Sequence, residues 1–385
     1  MVDLIRYWNV PMNRIKRSQV SLADEVDAVA ALAQDLLLDE TSGVIFFCSS
    51  RYNLERLAHE ISTTFSCPVV GCTTSGEIAD SYHEGGIVGV SFSAQDFLLT
   101  PYLISNLSHF ESQHIETIVT DVVKRSVDNR FVNSVGYLLI DGLSLAEERV
   151  SAALSGALGD LPLVGGSAGD EFNFEQTYVY FDGSFQSDAA VFTLISTSLD
   201  IEVCKLQHIL PTDKEVVVTE SDPKTRIVYE LDGEPAVDCY SRYLDLRPDQ
   251  LTPDIFSRNP VMLQVCGDWY VRSIQSANYD GSLTFYCAIE SGLPLTISRS
   301  GDIVKSFNDS VIEFYSRFSE IELTLACDCI LRRLEIINDD KKKEAIAPLF
   351  KKLNLLGFNT YGEQFNSLHL NQTLTCIIFG TLNRG

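Results

Sequence analysis

Two glycine-containing turns are the strongest candidates for ligand binding in the first half of the chain. Residues 68–77 read PVVGCTTSGE, and residues 162–170 read PLVGGSAGD. Small residues after a buried strand let the backbone turn sharply and expose amide groups to a cavity. The two turns therefore predict ligand pockets lined by backbone amides, either one shared pocket or two separate ones.

The first turn has the glycine spacing of a phosphate-binding loop but not its charge. Gly71 and Gly76 have the spacing G-x-x-x-x-G, and Glu77 occupies the position of the essential lysine. A carboxylate there would repel the phosphates that such a loop has to hold. This excludes a nucleoside triphosphatase. Because no G-x-G-x-x-G follows a predicted strand, a dinucleotide cofactor is unsupported as well.

A dense set of polar residues near the C-terminus forms a second candidate segment. Residues 357–373 read GFNTYGEQFNSLHLNQT and precede a short apolar run that predicts a buried strand. So many hydrogen-bonding groups beside Gly357 and Gly362 are typical of a polar pocket wall. The alternative is a polar loop that only caps the strand.

Cysteine chemistry is a third interpretation. Cys72 and Cys329 could act as nucleophiles of a hydrolase or transferase, with His369 as a base from elsewhere in the fold. Cys327 and Cys329 could supply two thiolates to a metal, but further ligands at a recognisable spacing are missing. Structural cysteines explain this pattern better, so we predict that the protein is not an enzyme.

The elements that position the turns follow a similar order twice. In the first copy, apolar runs and helical periodicity predict strand, helix, strand and strand at residues 43–48, 51–65, 67–72 and 86–92. In the second copy they predict strand, helix and three strands at residues 135–140, 146–158, 161–165, 178–182 and 189–195. Gly71 aligns with Gly165, and Gly76 aligns with Gly169 after one gap. We infer an internal duplication in the N-terminal region and a sheet that is at least partly parallel.

A second region of strands and helices begins near residue 210. Strand patterns occur at residues 216–218, 227–231, 270–274, 283–288, 293–297 and 374–380, and helical patterns occur at 303–318 and 345–353. Residues 247–260 are polar and contain prolines, which predicts a linker. The predicted fold class is α/β, more closely mixed α+β, with two regions of mixed sheets flanked by helices.

The composition excludes several classes of function. The 385 residues carry a net charge of −24, so we expect nucleic acids and anionic membrane surfaces to repel the protein. No apolar stretch is long enough to span a membrane, and the N-terminus lacks the uninterrupted apolar core of an export signal. The ten cysteines show no framework spacing, which indicates reduced thiols and a cytoplasmic protein.

Several of these segments together resemble the FIST family. They are VVGCTTSGEI, LVGGSAGD, the following YVYFDG, NP at 259–260, YVRSI at 270–274, CILR at 329–332 and TYGEQFNSLHLNQT. The resemblance implies a FIST N-terminal sensory domain at residues 25–205, which contains the duplicated halves. It implies a FIST C-terminal domain at 215–365, with 366–385 as a closing strand. It also implies a sensory module of signal transduction that binds small ligands, for which amino acids are proposed.

If the family motifs line the ligand pocket, the resemblance implies binding residues from both turns and from the last segment. They are Cys72, Ser75, Gly76, Glu77, Gly166, Gly169, Asp170, Arg332, Tyr361, Glu363, His369 and Asn371. Arg332 would meet a carboxylate or a haem propionate, because a guanidinium binds such groups bidentately.

Some members of the family, the NosP-type proteins, carry haem and sense nitric oxide. The resemblance to them implies a haem cofactor and, as in two-component regulation, a partner histidine kinase. Haem iron needs an axial ligand such as His, Cys or Tyr, so His369 is the first candidate and His83 the second. The alternative is a haem-independent sensor of an amino acid or another small metabolite. The oligomeric state is open, with a homo-oligomer among the alternatives.

Overall fold

Three copies of one structural unit, rather than two, make up most of the molecule. In the computed structural model, the described residues are 14–21, 23–128 and 130–384. Each unit runs through an edge strand, a helix, a central strand, further helical structure, a second strand, a β-hairpin and a return strand. The predicted duplication is confirmed for the N-terminal half, and a third copy follows it.

The chain forms these elements in the following order. The first unit comprises β1 (Ile15–Ser21), α1 (Glu25–Leu36), β2 (Thr41–Ser49), α2 (Leu54–Thr64), β3 (Val69–Thr74), β4 (Glu77–Ile78), β5 (Tyr82–His83) and β6 (Gly86–Ser93). The second unit comprises β7 (Phe97–Ser105), α3 (Glu116–Asp128), β8 (Asn133–Ile140), α4 (Glu147–Leu158), β9 (Leu163–Ser167), β10 (Val179–Phe181), β11 (Ser184–Gln186) and β12 (Ala189–Thr197).

The third unit is interrupted by an inserted sheet. It begins with β13 (Asp200–Leu206). The insertion comprises β14 (Ile209–Asp222), β15 (Ile227–Leu231), β16 (Glu234–Pro235), α5 (Ala236–Tyr243), α6 (Pro253–Arg258), β17 (Val261–Val265), β18 (Asp268–Arg272), β19 (Ile274–Ala277), β20 (Leu283–Phe285) and β21 (Pro294–Ser300). The unit resumes with α7 (Ile303–Arg317), β22 (Phe318–Cys329), α8 (Ile330–Ile337), α9 (Asp340–Lys352), β23 (Leu355–Thr360), β24 (Glu363–Phe365), β25 (Leu368–Leu370) and β26 (Leu374–Leu382).

The units are joined because each of them completes the sheet of another. The first sheet has the order β1-β6-β2-β3-β10-β11, so its last two strands come from the second unit. The second sheet, β7-β12-β8-β9-β24-β25, takes its hairpin from the third unit, and the third sheet, β13-β26-β22-β23-β4-β5, takes its hairpin from the first. In each of these three sheets, the central strand is β2, β8 or β22. It pairs in parallel with the next strand of its unit, which is β3, β9 or β23, and antiparallel with the return strand, which is β6, β12 or β26. The exchange of hairpins therefore closes into a ring.

One hydrophobic core lies between the three sheets. Phe47 of the first sheet stacks on Phe358 of the third, with ring centroids 4.5 Å apart, and Tyr137 of the second sheet belongs to the same buried cluster. Strand β2 is buried on both faces over residues 43–49, because α1 and α2 pack on its outer face. A strand covered on both faces reads as a continuous apolar run, which explains the sequence GVIFFC.

The inserted sheet has a core of its own and corrects one prediction. Its strands follow the order β18-β17-β21-β14-β15-β20-β19, with β16 paired to β15. The linker predicted at residues 247–260 was wrong, because this segment contains the short helix α6. The Thr252 hydroxyl accepts a hydrogen bond from the Ile255 amide, Pro253 takes the first helical position, and Phe256 is buried in the core of the insertion. A threonine cap followed by proline is a helix start, which the polar composition obscured.

The predicted fold class is confirmed, since mixed sheets flanked by helices make up the described chain. None of the helices in residues 14–21, 23–128 and 130–384 is long and apolar enough to cross a membrane. The domain bounds 25–205 and 215–365 remain a prediction.

A glycine at the third position of each second strand allows the central strand to approach closely. The three residues are Gly71, Gly165 and Gly357, and a Cβ atom at each would collide with a carbonyl oxygen of the central strand. This close approach is a property that the three units share.

We expect Gly357→Ala to lower the free energy of unfolding by about 1–3 kcal/mol, because β23 would have to move away from Ala326. Gly156→Ala is the matched control. Gly156 lies in α4, and an added Cβ would meet no atom of the other described elements within 4 Å, so this change should be neutral or stabilise by up to about 1 kcal/mol. Urea denaturation measures both values, and equal effects would contradict the packing role of Gly357.

Candidate functional site

The crossings between sheets bring three turns together. We call residues 74–77 the first turn, residues 167–171 the second turn and residues 360–363 the third turn. Backbone hydrogen bonds connect the three turns, or the strand residues next to them, in pairs. The amide of Ser75 donates to the carbonyl oxygen of Asn359 (3.0 Å), that of Gly169 to Thr73 (3.0 Å) and that of Ser167 to Gly362 (2.8 Å). The two glycine turns of the N-terminal half therefore lie side by side, and the third turn packs against both.

The first and third turns share a sequence motif and also its hydrogen bonding. Residues 71–77 and 357–363 both read G-x-x-T-x-G-E. The Thr74 hydroxyl donates to Oε1 of Glu77 at 2.6 Å, and the Thr360 hydroxyl donates to Oε1 of Glu363 in the same way. This repeated motif was a sequence signal for the third unit, which the predicted duplication did not include.

A cavity of about 100 Å³ opens beside the first turn, and we call it the first-turn pocket. Its lining residues are Arg51, Ser75, Gly76, Glu77, Glu84, Gly85, Glu171, Phe172 and Arg333. Ser75, Gly76 and Glu77 belong to the first turn, and Glu171 belongs to the second. Arg51 follows β2, Glu84 and Gly85 follow the hairpin β4–β5, Phe172 follows the second turn, and Arg333 lies in α8. Ser75, Gly76 and Glu77 of the first turn thus share this pocket with Glu171, which directly follows the glycine sequence of residues 162–170.

Arg333 reaches this pocket from the third unit. Its Nη2 pairs with Oε1 of Glu84 at 2.5 Å, and its Nη1 donates to the carbonyl oxygen of Ser75. Another pair in the pocket lining is formed by Nε of Arg51 and Oε1 of Glu171 at 2.6 Å. The side chain of Arg333 is buried, whereas that of Arg51 is half exposed.

Four buried polar atoms around the first turn lack a hydrogen-bond partner among the described residues. They are Oγ of Ser75, Oε2 of Glu77, Nε of Arg333 and Oδ1 of Asn359. Leaving such an atom unpaired costs about 1–3 kcal/mol, and most buried polar atoms are therefore satisfied by protein, water or ligand. The four comprise a cationic donor, acidic and neutral acceptors and a hydroxyl. This combination is suited to a small polar ligand.

Burial controls the charge of Glu77. It raises the pKa of this carboxyl to about 7, although the hydrogen bond from Thr74 and the charge of Arg333 act in the opposite direction. Near neutral pH the carboxyl therefore populates both protonation states. It can accept a hydrogen bond from a ligand as a carboxylate or donate one as an acid.

Four of the predicted binding residues lie at the first-turn pocket, and two others are buried between the sheets. Ser75, Gly76 and Glu77 line the first-turn pocket, and Gly169 packs directly against the side chain of Ser75. Cys72 and Gly166 are buried in the packing between sheets, where a Cβ on Gly166 would contact residues of the third unit.

Asp170 and Tyr361 form a contact of their own outside the pocket lining. The Asp170 carboxylate accepts hydrogen bonds from three backbone amides and from the Tyr361 hydroxyl; the amides are those of Phe174, Glu175 and Gln176. The Tyr361 ring stacks on Phe174 with centroids 4.5 Å apart. These bonds give Asp170 a clear role in shaping the loop after the second turn.

Arg332 and Arg333 have different surroundings although they are adjacent in sequence. Nε of Arg332 pairs with Oδ1 of Asp328 at 2.7 Å, and its Nη1 lies 3.1 Å from Nδ1 of His208. Both partners are buried. Arg333, which was not among the predicted residues, lines the first-turn pocket, whereas Arg332 does not.

The last polar segment forms a second buried cluster, which we call the last-segment cluster and define by Glu363, Gln364, His369 and Asn371. Burial raises the pKa of Glu363 to about 8 despite hydrogen bonds from Thr360 and Thr373. Nδ1 of His369 lies 3.3 Å from Nε2 of the Gln364 side chain. Oε1 of Gln364, Nε2 of His369 and Nδ2 of Asn371 have no partner among the described residues.

The two histidines predicted as haem ligands are poorly arranged for a porphyrin. His369 is only 2% exposed, burial lowers its pKa, and its ring packs against Gly362 so closely that an added Cβ would collide with it. His83 is half-buried, and both ring nitrogens have neighbours, at 2.8 Å in Gln19 and at 3.1 Å in Ser81. A histidine that binds haem iron needs a ring nitrogen that is free and next to open space. Neither His369 nor His83 meets both conditions, so these residues do not fit a haem group.

The cysteines predicted as nucleophiles are unfavourably placed for that chemistry. Cys72 and Cys329 are buried, and desolvation raises the pKa of both thiols well above its usual value. The thiolate is the reactive form, and it is scarce under these conditions.

A larger groove of about 820 Å³ lies between α6, β21 and α8. Several of its charged side chains already pair with one another: Arg258 pairs with Asp254 at 3.0 Å, and Lys342 pairs with Glu335 at 2.8 Å. The first-turn pocket is smaller, but three of its lining residues, Ser75, Glu77 and Arg333, carry unpartnered buried atoms, so it is the stronger candidate site.

Comparison with known proteins agrees with the resemblance. The FIST N domain model matches residues 43–234, and the FIST C domain model matches residues 236–366. An uncharacterized protein of Methanocaldococcus jannaschii is 25% identical over 186 residues, which cover 46% of this chain and 35% of that protein. The chain thus covers about a third of the length of this relative.

The raised pKa of Glu77 predicts a pH-dependent stability. The folded-state pKa lies near 7 and the unfolded value near 4.5, so folding favours the protonated acid. This contribution is complete below pH 4.5 and is lost as the pH rises through 7; the shift corresponds to on the order of 3 kcal/mol.

We expect Glu77→Gln to reduce the loss of stability between pH 5 and pH 8, as measured by urea denaturation across that range. Glu290→Gln, at an exposed position, is the control and should leave the pH dependence unchanged. A Glu77→Gln profile that parallels that of the unmodified protein would show that Glu77 is not the group that titrates.

Proposed function

Because the chain belongs to the FIST family, whose domains are sensory ligand-binding domains in signalling, we propose that it senses a small zwitterionic metabolite in the first-turn pocket. The observation that carries the proposal is the convergence of four unpartnered buried polar atoms, from three segments of the chain, around one turn. An α-amino acid is the simplest ligand class with complementary groups.

The charges of the pocket define how such a ligand would bind. Its carboxylate would accept from the free Nε of Arg333 and from the hydroxyl of Ser75, and its ammonium group would donate to Oε2 of Glu77. Charge-assisted hydrogen bonds of this kind are about twice as strong as neutral ones. The same three groups would discriminate against simple amines and simple carboxylates, each of which leaves part of the set unpaired.

The size of the pocket limits the part of the ligand that is enclosed. About 100 Å³ corresponds to roughly three water molecules, which matches the amino and carboxyl groups of an amino acid rather than a large side chain. Phe172 lines the pocket and is 46% exposed, so the ligand side chain would extend past it towards solvent.

Signalling requires a partner that distinguishes two states of the protein. A ligand shifts a conformational equilibrium only by its difference in affinity for the two states. We propose that the ligand-bound chain differs from the free chain in its affinity for a signalling protein, with a histidine kinase as the class implied by the resemblance. Non-enzymatic action is part of this proposal.

A haem-dependent sensor of nitric oxide is the second candidate. It is favoured by Nε2 of His369, the one imidazole nitrogen among the unpartnered buried atoms of the described residues. Haem would supply an iron that binds nitric oxide. Because the surroundings of His369 do not fit a porphyrin, the metabolite is the preferred proposal.

The metabolite proposal is tested by thermal shift with the standard amino acids, followed by titration calorimetry of those that raise the Tm. We expect Glu77→Gln and Arg333→Lys each to weaken binding about tenfold or more, because the first removes a negative charge and the second removes the Nε–H donor of the guanidinium. Arg247→Lys, at an exposed arginine that pairs with the exposed Asp249, should bind as the unmodified protein does. Unchanged affinity in both pocket variants would exclude this pocket as the site.

The haem candidate is tested by an absorption spectrum of the purified protein with added hemin, before and after nitric oxide. We expect no sharp Soret band at a one-to-one ratio, because His369 is enclosed. A one-to-one band that shifts with nitric oxide and is lost in His369→Ala would instead establish the haem sensor and displace the metabolite proposal.

A further inference from the structure

Two buried cysteines of the third sheet lie directly opposite each other. Cys204 of β13 is the register partner of Cys376 of β26, and the two strands are antiparallel. Among the strand pairs of the described residues, this is the one register that places two cysteines opposite each other. Both side chains belong to the same hydrophobic cluster, so they lie on the same face of the sheet.

The strand geometry places these cysteines within reach of a disulfide bond. Directly opposite residues of antiparallel strands have Cα atoms about 4.5 or 5.5 Å apart, depending on the type of pair. Disulfides span Cα distances of about 4.4–6.8 Å, so either type is compatible. The side chains also interact, since contact with Cys376 is the main cause that raises the pKa of Cys204, followed by burial.

The position of Cys204 provides access and a proton acceptor. Strand β13 is the edge of its sheet, and Cys204 is 9% exposed whereas Cys376 is 1% exposed. The Cys204 thiol donates a hydrogen bond to Oε1 of Glu202 at 3.3 Å. A small oxidant would therefore meet Cys204 first, with a carboxylate beside its proton.

We propose that Cys204 and Cys376 are a redox modification site, at which a peroxide converts the two thiols reversibly into an intramolecular disulfide. As the sulfur of Cys204 attacks one peroxide oxygen and breaks the O–O bond, the thiol would give its proton to the Glu202 carboxylate, which would pass it to the other oxygen. That oxygen leaves as water, and Cys204 becomes a sulfenic acid. Sulfur of Cys376 would then displace the hydroxyl group as a second water and form the S–S bond. In total, two thiols and one hydrogen peroxide give one disulfide and two water molecules, and the sulfurs lose two electrons.

The disulfide would act where the chain enters the inserted sheet. Strand β13 ends at Leu206, and β14 begins the insertion at Ile209. A covalent bond between β13 and β26 would fix this edge strand to the interior of the sheet. The oxidised protein would therefore hold the start of the insertion more firmly than the reduced one does. This inference does not depend on which ligand the first-turn pocket binds.

The experiment uses the full chain, reduced and then treated with hydrogen peroxide under native conditions, with free thiols blocked before digestion. We expect mass spectrometry to show the loss of two hydrogen atoms and a peptide that links Cys204 to Cys376, with reversal by dithiothreitol. Cys204→Ser and Cys376→Ser should abolish this species. Cys266→Ser, at an exposed thiol, is the matched control and should retain it.

Thermal unfolding provides a second readout that does not depend on whether one variant folds poorly. Oxidation should raise the Tm of the unmodified protein by several degrees, because the disulfide restricts the unfolded chain, and dithiothreitol should reverse the rise. A link between other cysteines, or formation of the disulfide only after denaturant is added, would overturn the proposal. An unchanged Tm of a protein shown to be oxidised would contradict the proposed fixing of β13.

Discussion

The cyclic exchange of hairpins is the constraint on which the rest of this structure depends. The edge of a sheet carries a row of unpaired N–H and C=O groups, which a protein has to cover or protect. Each unit leaves such an edge at β3, β9 or β23, and the hairpin of another unit covers it. A unit without its neighbours would expose this edge together with its share of the common core. The three units therefore depend on one another, although the insertion separates parts of the third by almost a hundred residues.

The same exchange explains why the candidate site lies among the turns. Between β3 and β4 the chain has two residues in which to leave one sheet and enter another, and Gly76 makes this possible with a φ of 130°. The first residue of the hairpin, Glu77, is consequently placed where the sheets meet. Glu363 has the same position in the third unit. Desolvation raises the pKa of both carboxyls, to about 7 and about 8, so their unusual protonation follows from the topology.

Local sequence patterns predicted the repeated helices and strands, but they could not predict the exchange of hairpins between units. The apolar run of β2 and the helical period of α2 are strong signals because burial imposes them on adjacent residues. A strand of two residues such as β4 has no period, and its partner β23 lies far away in sequence. The third copy was obscured by the insertion between β13 and α7. Successive helical residues differ by about 100° in direction, so the sequence could not decide which of Arg332 and Arg333 faces the pocket.

Helix α8 joins the pocket to the inserted sheet through these two arginines. Arg333 contacts the first turn, and Arg332 holds Asp328 and His208. His208 lies between β13 and β14, where the chain enters the insertion, and its Nε2 pairs with Glu335 of the same helix at 2.8 Å. These contacts fall within a single turn of α8, so they share one rigid segment of backbone. A ligand that engages Arg333 therefore acts on a helix that is also bound at the entrance to the inserted sheet. Helix α8 is thus a direct physical connection between the first-turn pocket and the entrance to the inserted sheet.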